Sequence, residues 1–229
     1  NALGANTTAN NNVAVGVNGL LSNTTGTSNV GVGAFALNSN TTASGNTAVG
    51  YHARYGSDTE SANTVAVGYQ ALYMGSATTA DATSSTVVGF QAMATNASTT
   101  AILTGNTAIG RGAIQVSANT TGTVADNVAV GENALASNAN TTATIRYNTA
   151  VGKQALYVNT ASSNTAVGYQ AMYTNTTGAV NTAFGQQALR ANTTAFNNSA
   201  FGSAALIANT TGQYNTGIGA QALVSNTTA

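Results

Sequence analysis

Small, β-branched and polar residues recur in one pattern along the whole chain. Each repeat has a block of the form Asn-Thr-Ala-Val-Gly, then one like Tyr-Gln-Ala-Leu, then a polar block such as Asn-Thr-Thr-Gly. β-branched residues that alternate with small ones indicate a short strand. Asn and Gly favour turns because both tolerate the left-handed backbone. The pattern therefore predicts one short strand per repeat, followed by turns.

The glycine that closes the first block, called the repeat glycine below, recurs every 16 to 21 residues. It stands at Gly16, Gly33, Gly50, Gly68, Gly89, Gly110, Gly131, Gly152, Gly168, Gly185, Gly202 and Gly219. One such unit cannot fold alone, since ordering about 17 residues costs about 1–2 kcal/mol each in backbone entropy. Burial of one Val and one Leu returns only about 1.5–3 kcal/mol apiece, so the units must stack.

Stacking predicts an all-β solenoid or β-roll of about 12–13 coils, 16–21 residues per coil, with short turns or helical turns between strands. A single repeat domain covers residues 1–229, with coils of about 17 residues at 1–67 and 153–229 and 21-residue coils at 68–152. The natural inward columns are the Val49-type residue before the repeat glycine and the Leu72-type residue four after it. The longer coils add a third inward column and a wider cross-section. That column is Ala82, Leu103, Val124 and Ile145.

Residues at one offset in successive coils should lie about 4.8 Å apart and form rows. One residue after the repeat glycine, the sequence predicts an aromatic row followed by alternating charges. The aromatic residues are Tyr51, Tyr69 and Phe90, and the charged ones are Arg111, Glu132 and Lys153. Tyr55 should stack on Tyr73, and Tyr157 on Tyr173.

The residue two before the repeat glycine is small and uncharged in nearly every coil, whereas an outward strand face normally carries polar or charged residues. We predict that these residues form a face by which chains assemble. The alternative is that both strand faces pack inside the coil. The residues of the predicted assembly face are Ala14, Gly31, Ala48, Ala66, Ala108, Ala129, Ala150, Ala166, Ala183, Ala200 and Gly217.

Asparagines recur in the polar block, mostly seven residues after the repeat glycine, and each of nine begins an Asn-Thr-Thr triplet. Two interpretations stand: a ladder of asparagine side chains, which the fixed offset favours, or N-glycosylation acceptors, since the triplet fits Asn-X-Ser/Thr. The nine are Asn6, Asn23, Asn40, Asn119, Asn140, Asn175, Asn192, Asn209 and Asn226. Asn96 and Asn159 share the column, and Asn96 and Asn197 also match the acceptor pattern.

Only 4% of the 229 residues are charged and the formal net charge is zero. Nothing attracts the chain to nucleic acid or anionic lipid, so neither is expected as a partner. The chain has no cysteine, which excludes disulfides and thiolate metal sites. No run approaches the roughly 20 apolar residues of a membrane span, so membrane insertion is not expected.

Few residues suggest chemistry, and we expect no catalytic site, metal site or cofactor. His52 occupies a column otherwise held by glutamines such as Gln70 and Gln91, and a substituted glutamine is the simplest interpretation. A polysaccharide-cleaving tailspike would need two carboxylates across one sugar bond. Asp58, Glu60 and Asp81 are the candidates, although solvated charges in an irregular coil are the better explanation.

The blocks resemble the coils of trimeric autotransporter adhesin heads, as at Asn127-Val128-Ala129-Val130-Gly131. They are still more similar to the Asn-Thr-Ala-Val-Gly-Tyr-Gln-Ala-Leu repeats of phage tail fibres and bacterial surface proteins, as in residues 164–172. The resemblance spans the chain. In adhesin heads it implies three chains, each a left-handed β-roll, packed along their strand faces into a rigid rod.

The expected function is therefore a non-enzymatic rod module of an extracellular fibre, on a cell surface or a virion. Its partner would be itself, as a homotrimer or head-to-tail filament, with cell-surface glycans as a further possibility. Ice binding by rows of threonines is the alternative, with a tailspike enzyme third. One observation argues against ice binding. The threonines of Thr24-Thr25 and Thr193-Thr194 are adjacent, so only one of each pair faces outward in an extended segment.

Overall fold

The computed structural model describes residues 1–56, 61–75, 81–95, 102–115, 122–136 and 144–228. Its regular structure consists of strands of two or three residues, and the described residues include no helix. The strands are β1 Val13–Val15, β2 Val30–Val32, β3 Thr47–Val49, β4 Val65–Val67, β5 Thr86–Val88, β6 Thr107–Ile109, β7 Val124–Ala125, β8 Val128–Val130, β9 Ile145–Arg146, β10 Thr149–Val151, β11 Thr165–Val167, β12 Thr182–Phe184, β13 Ser199–Phe201 and β14 Thr216–Ile218.

Twelve of these strands form one parallel sheet in chain order, and β7 pairs with β9 in a separate two-stranded sheet. The register follows the repeat, so that Ala150 lies beside Ala129 on one side and Ala166 on the other. Each coil thus adds one strand beside the last. The predicted β-solenoid is confirmed.

The strands are short because the repeat glycine turns the chain at the same corner of every coil. Gly110 has a φ of +127°, and a Cβ atom there would lie 2.7 Å from the carbonyl oxygen of Gly131 in the next coil. A side chain is excluded both by this conformation and by the close approach of the next backbone. The glycine column therefore fixes where each strand ends.

The turn after the glycine brings a large apolar residue back under the sheet. Gln70 and Leu72 both have φ of +52°, in the left-handed region that L-residues rarely adopt. Neighbouring coils hold this conformation, because the amide of Gln70 donates to the carbonyl of Tyr51 at 2.9 Å and that of Leu72 to Ala92 at 3.0 Å. The Leu72 side chain is fully buried.

One predicted core column is correct and one is wrong. The Leu72-type column is buried, as in Leu37, Leu156 and Leu206. The Val49-type residue points outward instead, and the small residue two before the glycine takes its place in the core. The alternation in a strand of three residues allows either assignment, because an Ala-Val pair puts one apolar residue on each face.

The third inward column of the longer coils is confirmed. Ala82, Leu103, Val124 and Ile145 are all buried and belong to the core. Bridges join Asp81 to Ile102 and Ile102 to Thr123 beside the β7–β9 pair, so this side of the longer coils is also a parallel stack. The residues inserted between the column and the turns lie outside the described residues.

The predicted rows also hold. Tyr51, Tyr69 and Phe90 stack with centroid separations of 5.4 and 5.3 Å. Tyr55 stacks on Tyr73 at 5.5 Å and Tyr157 on Tyr173 at 5.1 Å. In the charged part of the first row, Glu132 pairs with Arg111 at 3.3 Å and with Lys153 at 3.0 Å.

Candidate assembly surface

The predicted assembly face is wrong as an outward surface, because its residues are part of the core. The side chains of Ala48, Ala108 and Ala150 are 0% exposed. The same holds for Ala66, Ala129, Ala166, Ala183 and Ala200, while Gly31 and Gly217 are buried and Ala14, in the first strand, is half-buried. Their small size is explained by packing inside the coil, but the alternative interpretation holds for this face alone, because the other face of the same strands points outward.

Close packing under the sheet requires these residues to be small. A Cβ atom on Gly31 would lie 3.3 Å from Cγ of Leu20 and 3.3 Å from the carbonyl oxygen of Ala36. At Gly217 the corresponding distance to Cγ of Leu206 is also 3.3 Å. The leucine column fills the interior up to the strand, so it leaves room for a methyl group and little more.

The other side of the sheet forms the outward strand face, defined as the residues one and three before each repeat glycine. All of them are half-buried or exposed. The column next to the glycine is Val15, Val32, Val49, Val67, Val88, Ile109, Val130, Val151, Val167, Phe184, Phe201 and Ile218. The other column is Val13, Val30, Thr47, Val65, Thr86, Thr107, Val128, Thr149, Thr165, Thr182, Ser199 and Thr216.

The outward strand face carries no charge and is largely apolar. Val15 is 56% exposed, Phe184 54% and Ile218 75%. The charged residues stand at other offsets, as Arg111, Glu132 and Lys153 do after the glycine. Contiguous exposed apolar surface beyond a few hundred Å² marks an interaction site in soluble proteins. This face is therefore the candidate site of the molecule.

The asparagine ladder is present wherever the structure describes its members. Nδ2 of Asn40 donates to Oδ1 of Asn23 at 2.8 Å, and Asn192 donates in the same way to Asn175 at 2.7 Å. Each also donates to the carbonyl three residues on. Further links join Asn23 to Asn6, Asn175 to Asn159, Asn209 to Asn192 and Asn226 to Asn209.

The ladder uses the nitrogen that a glycan would need. Asn23, Asn40, Asn175, Asn192 and Asn209 are buried in the folded chain, whereas Asn6 is exposed and Asn226 half-buried. Buried amides in continuous hydrogen-bonded rows favour the structural interpretation. The candidates Asn96, Asn119 and Asn140 lie outside the described residues, and Asn197 is exposed.

A second asparagine ladder, at the residue before each strand, was not predicted from the sequence. Oδ1 of Asn164 accepts from the amide of Asn181 at 3.0 Å, and Nδ2 of Asn164 donates to the carbonyl of Gly178 at 2.8 Å. The asparagine that opens most of the Asn-Thr-Ala-Val-Gly blocks was the available signal. The row continues at Asn12, Asn29, Asn46, Asn106, Asn127, Asn148 and Asn198, with Thr64 and Ser85 in the asparagine position.

Arg54 is a second feature that sequence reasoning missed. It replaces leucine in the buried column and is only 2% exposed. Its Nη1 donates to Oδ1 of Asn40 at 3.2 Å, and its Nη2 donates to the carbonyl of Ser61. The break in the Leu20, Leu37, Leu72 series was visible in the sequence.

The carboxylate candidates supply no described catalytic pair. Asp58 and Glu60 lie outside the described residues. Asp81 accepts hydrogen bonds from Ser61 at 3.1 Å and from Oγ1 of Thr83 at 2.6 Å. Partial burial raises the pKa of Asp81, but hydrogen bonds from Thr83 and Ser61 outweigh it, and the net pKa is lowered. A lowered pKa suits an ionised structural acceptor and not a general acid.

His52 stands in the glutamine column, as predicted, but packs as an aromatic ring. It stacks on Tyr51 at 4.0 Å and on Tyr55 at 4.5 Å, and burial lowers its pKa. Elsewhere the glutamines hydrogen-bond along the column, as Gln91 does to Gln70 at 2.9 Å and Gln170 to Gln154 at 3.0 Å. The His52 ring thus contacts both tyrosine rows instead of extending the hydrogen-bonded row of glutamine amides.

The threonines of the Asn-Thr-Thr triplets divide into two roles. The first hydroxyl donates to the carbonyl of the next coil, as Thr24 does to Thr41 at 3.1 Å and Thr193 to Thr210 at 3.2 Å. The second threonine is exposed, as Thr25 and Thr194 are. In the inner pairs that the structure describes, the first threonine is half-buried and the second exposed, as the adjacency predicts, whereas both are exposed in Thr7-Thr8 and Thr227-Thr228.

Within the described ranges, no three acidic, histidine or cysteine side chains gather as metal ligands. The same ranges contain no helix with the length and apolar character to cross a membrane. Comparisons with protein-family models, with curated proteins and with solved structures each find no significant match.

Proposed function

We propose that this chain is a structural, non-enzymatic rod module of an extracellular fibre or filament, either a phage tail fibre or a bacterial surface filament or adhesin, that assembles with copies of itself. The observation that carries the proposal is that the same contacts recur from coil to coil along the axis. Parallel strands, leucines and two asparagine rows each run from coil to coil.

Such continuity gives axial stiffness. Each coil contacts its neighbours through the same hydrogen bonds, so bending the rod would strain all rows on one side together. Twelve strands at about 4.8 Å spacing make a sheet about 53 Å long. The outward strand face then offers a lateral contact along this whole length.

The experiment is solution mass by light scattering over a concentration series, combined with small-angle scattering for shape. The proposal expects a defined oligomer or a growing polymer of elongated particles. A persistent 22.5 kDa monomer would contradict self-assembly, and compact particles would contradict the rod.

Ice binding remains as a second candidate because of one observation on the outward strand face. Thr107, Thr149 and Thr165 alternate with the outward Ile109, Val151 and Val167 on a regular, uncharged sheet. Triplet threonines such as Thr24 instead use their hydroxyls within the coil stack. Thermal hysteresis in a monomer, abolished by Thr149→Lys, would support this candidate and contradict the fibre proposal.

A further inference from the structure

The outward strand face shows a compensation of side-chain size within single strands. Its bulkiest members are Phe184, Phe201, Ile109 and Ile218, and the residues two before them are Thr182, Ser199, Thr107 and Thr216. Phe201 is preceded by Ser199, the smallest side chain on the face. Valine occurs in the second column only in strands whose first-column residue is also valine, at Val13, Val30, Val65 and Val128.

A single chain has no need of this compensation, because both columns project into solvent. The need arises when a second sheet packs against the face at a uniform distance, about 10 Å for stacked sheets. A large side chain in one column must then lie opposite a small residue of the partner. The geometry of the partner decides which column faces which.

From these sizes, and resting on the proposed self-assembly, we infer that the outward strand face binds a second copy of this chain, face to face, with the two solenoid axes parallel and the coils in register. A two-fold axis along the rod reverses the strand direction of the partner. The column next to the glycine then faces the other column of the same coil, so Phe201 meets the partner's Ser199 and Phe184 meets the partner's Thr182.

The antiparallel arrangement fits less well. A two-fold axis along the strands would place Phe201 opposite Val32 and Ser199 opposite Val30, with the columns matched to themselves. The distance between the two sheets would be large along the column next to the repeat glycine and small along the other column, at both ends of the interface. The parallel arrangement gives every coil a similar total bulk.

The size and charge of the face suit a second copy. A sheet about 53 Å long with a side-chain strip about 12 Å wide covers on the order of 600 Å² in plan, before the relief of the side chains is counted. Stable complexes bury about 800 Å² per partner, with charge depleted from the core of the interface. Only a surface with the same coil spacing keeps register along this length, and another copy has it.

The first test is Val151→Lys, in the middle of the outward strand face, compared with Thr194→Lys on an exposed turn. We expect the control to keep the dimer mass and Val151→Lys to weaken dimerisation at least tenfold, with circular dichroism unchanged. Val167→Asp is the second variant in case the first does not fold. A monomeric wild type would overturn self-assembly itself, a Val151→Lys dimer would overturn only the face, and a trimeric wild type would overturn the two-fold arrangement.

The second test measures orientation and exploits the absence of cysteine in the chain. With a short bismaleimide, Ser199→Cys should cross-link to its own copy and to Phe201→Cys. In an antiparallel dimer the two copies of position 199 would be about nine strand spacings, roughly 43 Å, apart. Cross-linking of Ser199→Cys only with Val30→Cys would overturn the parallel arrangement while leaving the face intact.

Discussion

The 17-residue coils near the ends and the 21-residue coils in the middle enclose the same interior with different side chains. Around Asn175 and Asn192, the segment that leads back to the sheet is closed by buried amides that hydrogen-bond from coil to coil. Around Leu103 and Val124 an aliphatic column closes it, and two members of this column, Val124 and Ile145, pair in the short second sheet. The sheet, the glycine corner and the leucine column are common to both.

The difference shows how the number of residues in a coil can change while the parallel stacking of successive coils is kept. An amide row gains stability only when it is continuous, because an interrupted row leaves buried donors and acceptors without partners. An aliphatic column tolerates substitution more evenly, since its contribution scales with buried area. Single substitutions should therefore propagate differently in the two regions.

The largest effect should come from Asn175→Leu in the amide row. Asn175 Nδ2 donates to Asn159 at 2.7 Å and to Gly178 at 2.8 Å, and its Oδ1 accepts from Asn192. The variant removes three hydrogen bonds, each worth about 0.5–1.5 kcal/mol. Asn159 Oδ1 keeps only a 3.4 Å bond from Asn164, which adds about 1–3 kcal/mol, so we expect a loss of about 4 kcal/mol. Urea unfolding measures it, with the exposed Thr177→Ala as control. A loss equal to that of the control would contradict a cooperative row.

Leu103→Ala in the aliphatic column should cost about 3 kcal/mol, within the range for buried leucines. Its neighbour Ile102 is 46% exposed, and Ile102→Ala should cost much less, which makes it a matched control. Equal losses in urea unfolding would show that the column does not enclose a core.

The repeat made the stack predictable, because fixed offsets imply vertical neighbours. The tyrosine pairs, the Glu132 ion pairs and the buried Leu103 column all follow from counting residues along the chain. Spacing alone also located the asparagine row, whose burial and amide bonds then followed from stacking. None of this needed knowledge of the path between the corners.

Which face of the strand points into the coil could not be predicted from the same pattern. In Thr149-Ala150-Val151 both faces are uncharged, and hydrophobicity favours valine inside. The decisive quantity is the room left by Leu156 and its column, which depends on left-handed turns at residues such as Gln154 and Leu156. L-residues rarely adopt that conformation, so the narrow interior, and with it the outward strand face, was not foreseeable from composition.

A smaller effect on stability is expected in the row one residue after the repeat glycine. This row is aromatic at Tyr69 and charged at Glu132, and the two parts should respond differently to salt. A hydrogen bond and the charge of Lys153 lower the pKa of Glu132, with Arg111 contributing less. Its stabilisation is thus present above the ordinary carboxyl pKa and lost as pH falls through the lowered folded value. Glu132→Gln should lower the melting temperature slightly at pH 7, and less in 1 M salt. Tyr69→Leu should show no such salt dependence, and equal salt responses would contradict the assignment.

The smallest effect should come from His52→Gln, which restores the glutamine column beside Gln70 at the cost of stacking on Tyr51 and Tyr55. Burial lowers the pKa of His52 from 6.5, so the unfolded chain takes up this proton at a higher pH than the folded one. The unfolded state binds more protons in that window, and stability falls as pH drops through 6.5 toward the lowered folded value. Urea midpoints at pH 7.5 and 5.5 should differ less in His52→Gln than in the wild type, because other titrating groups contribute equally to both proteins. An unchanged difference would mean that the folded imidazole takes up its proton as readily as the unfolded one.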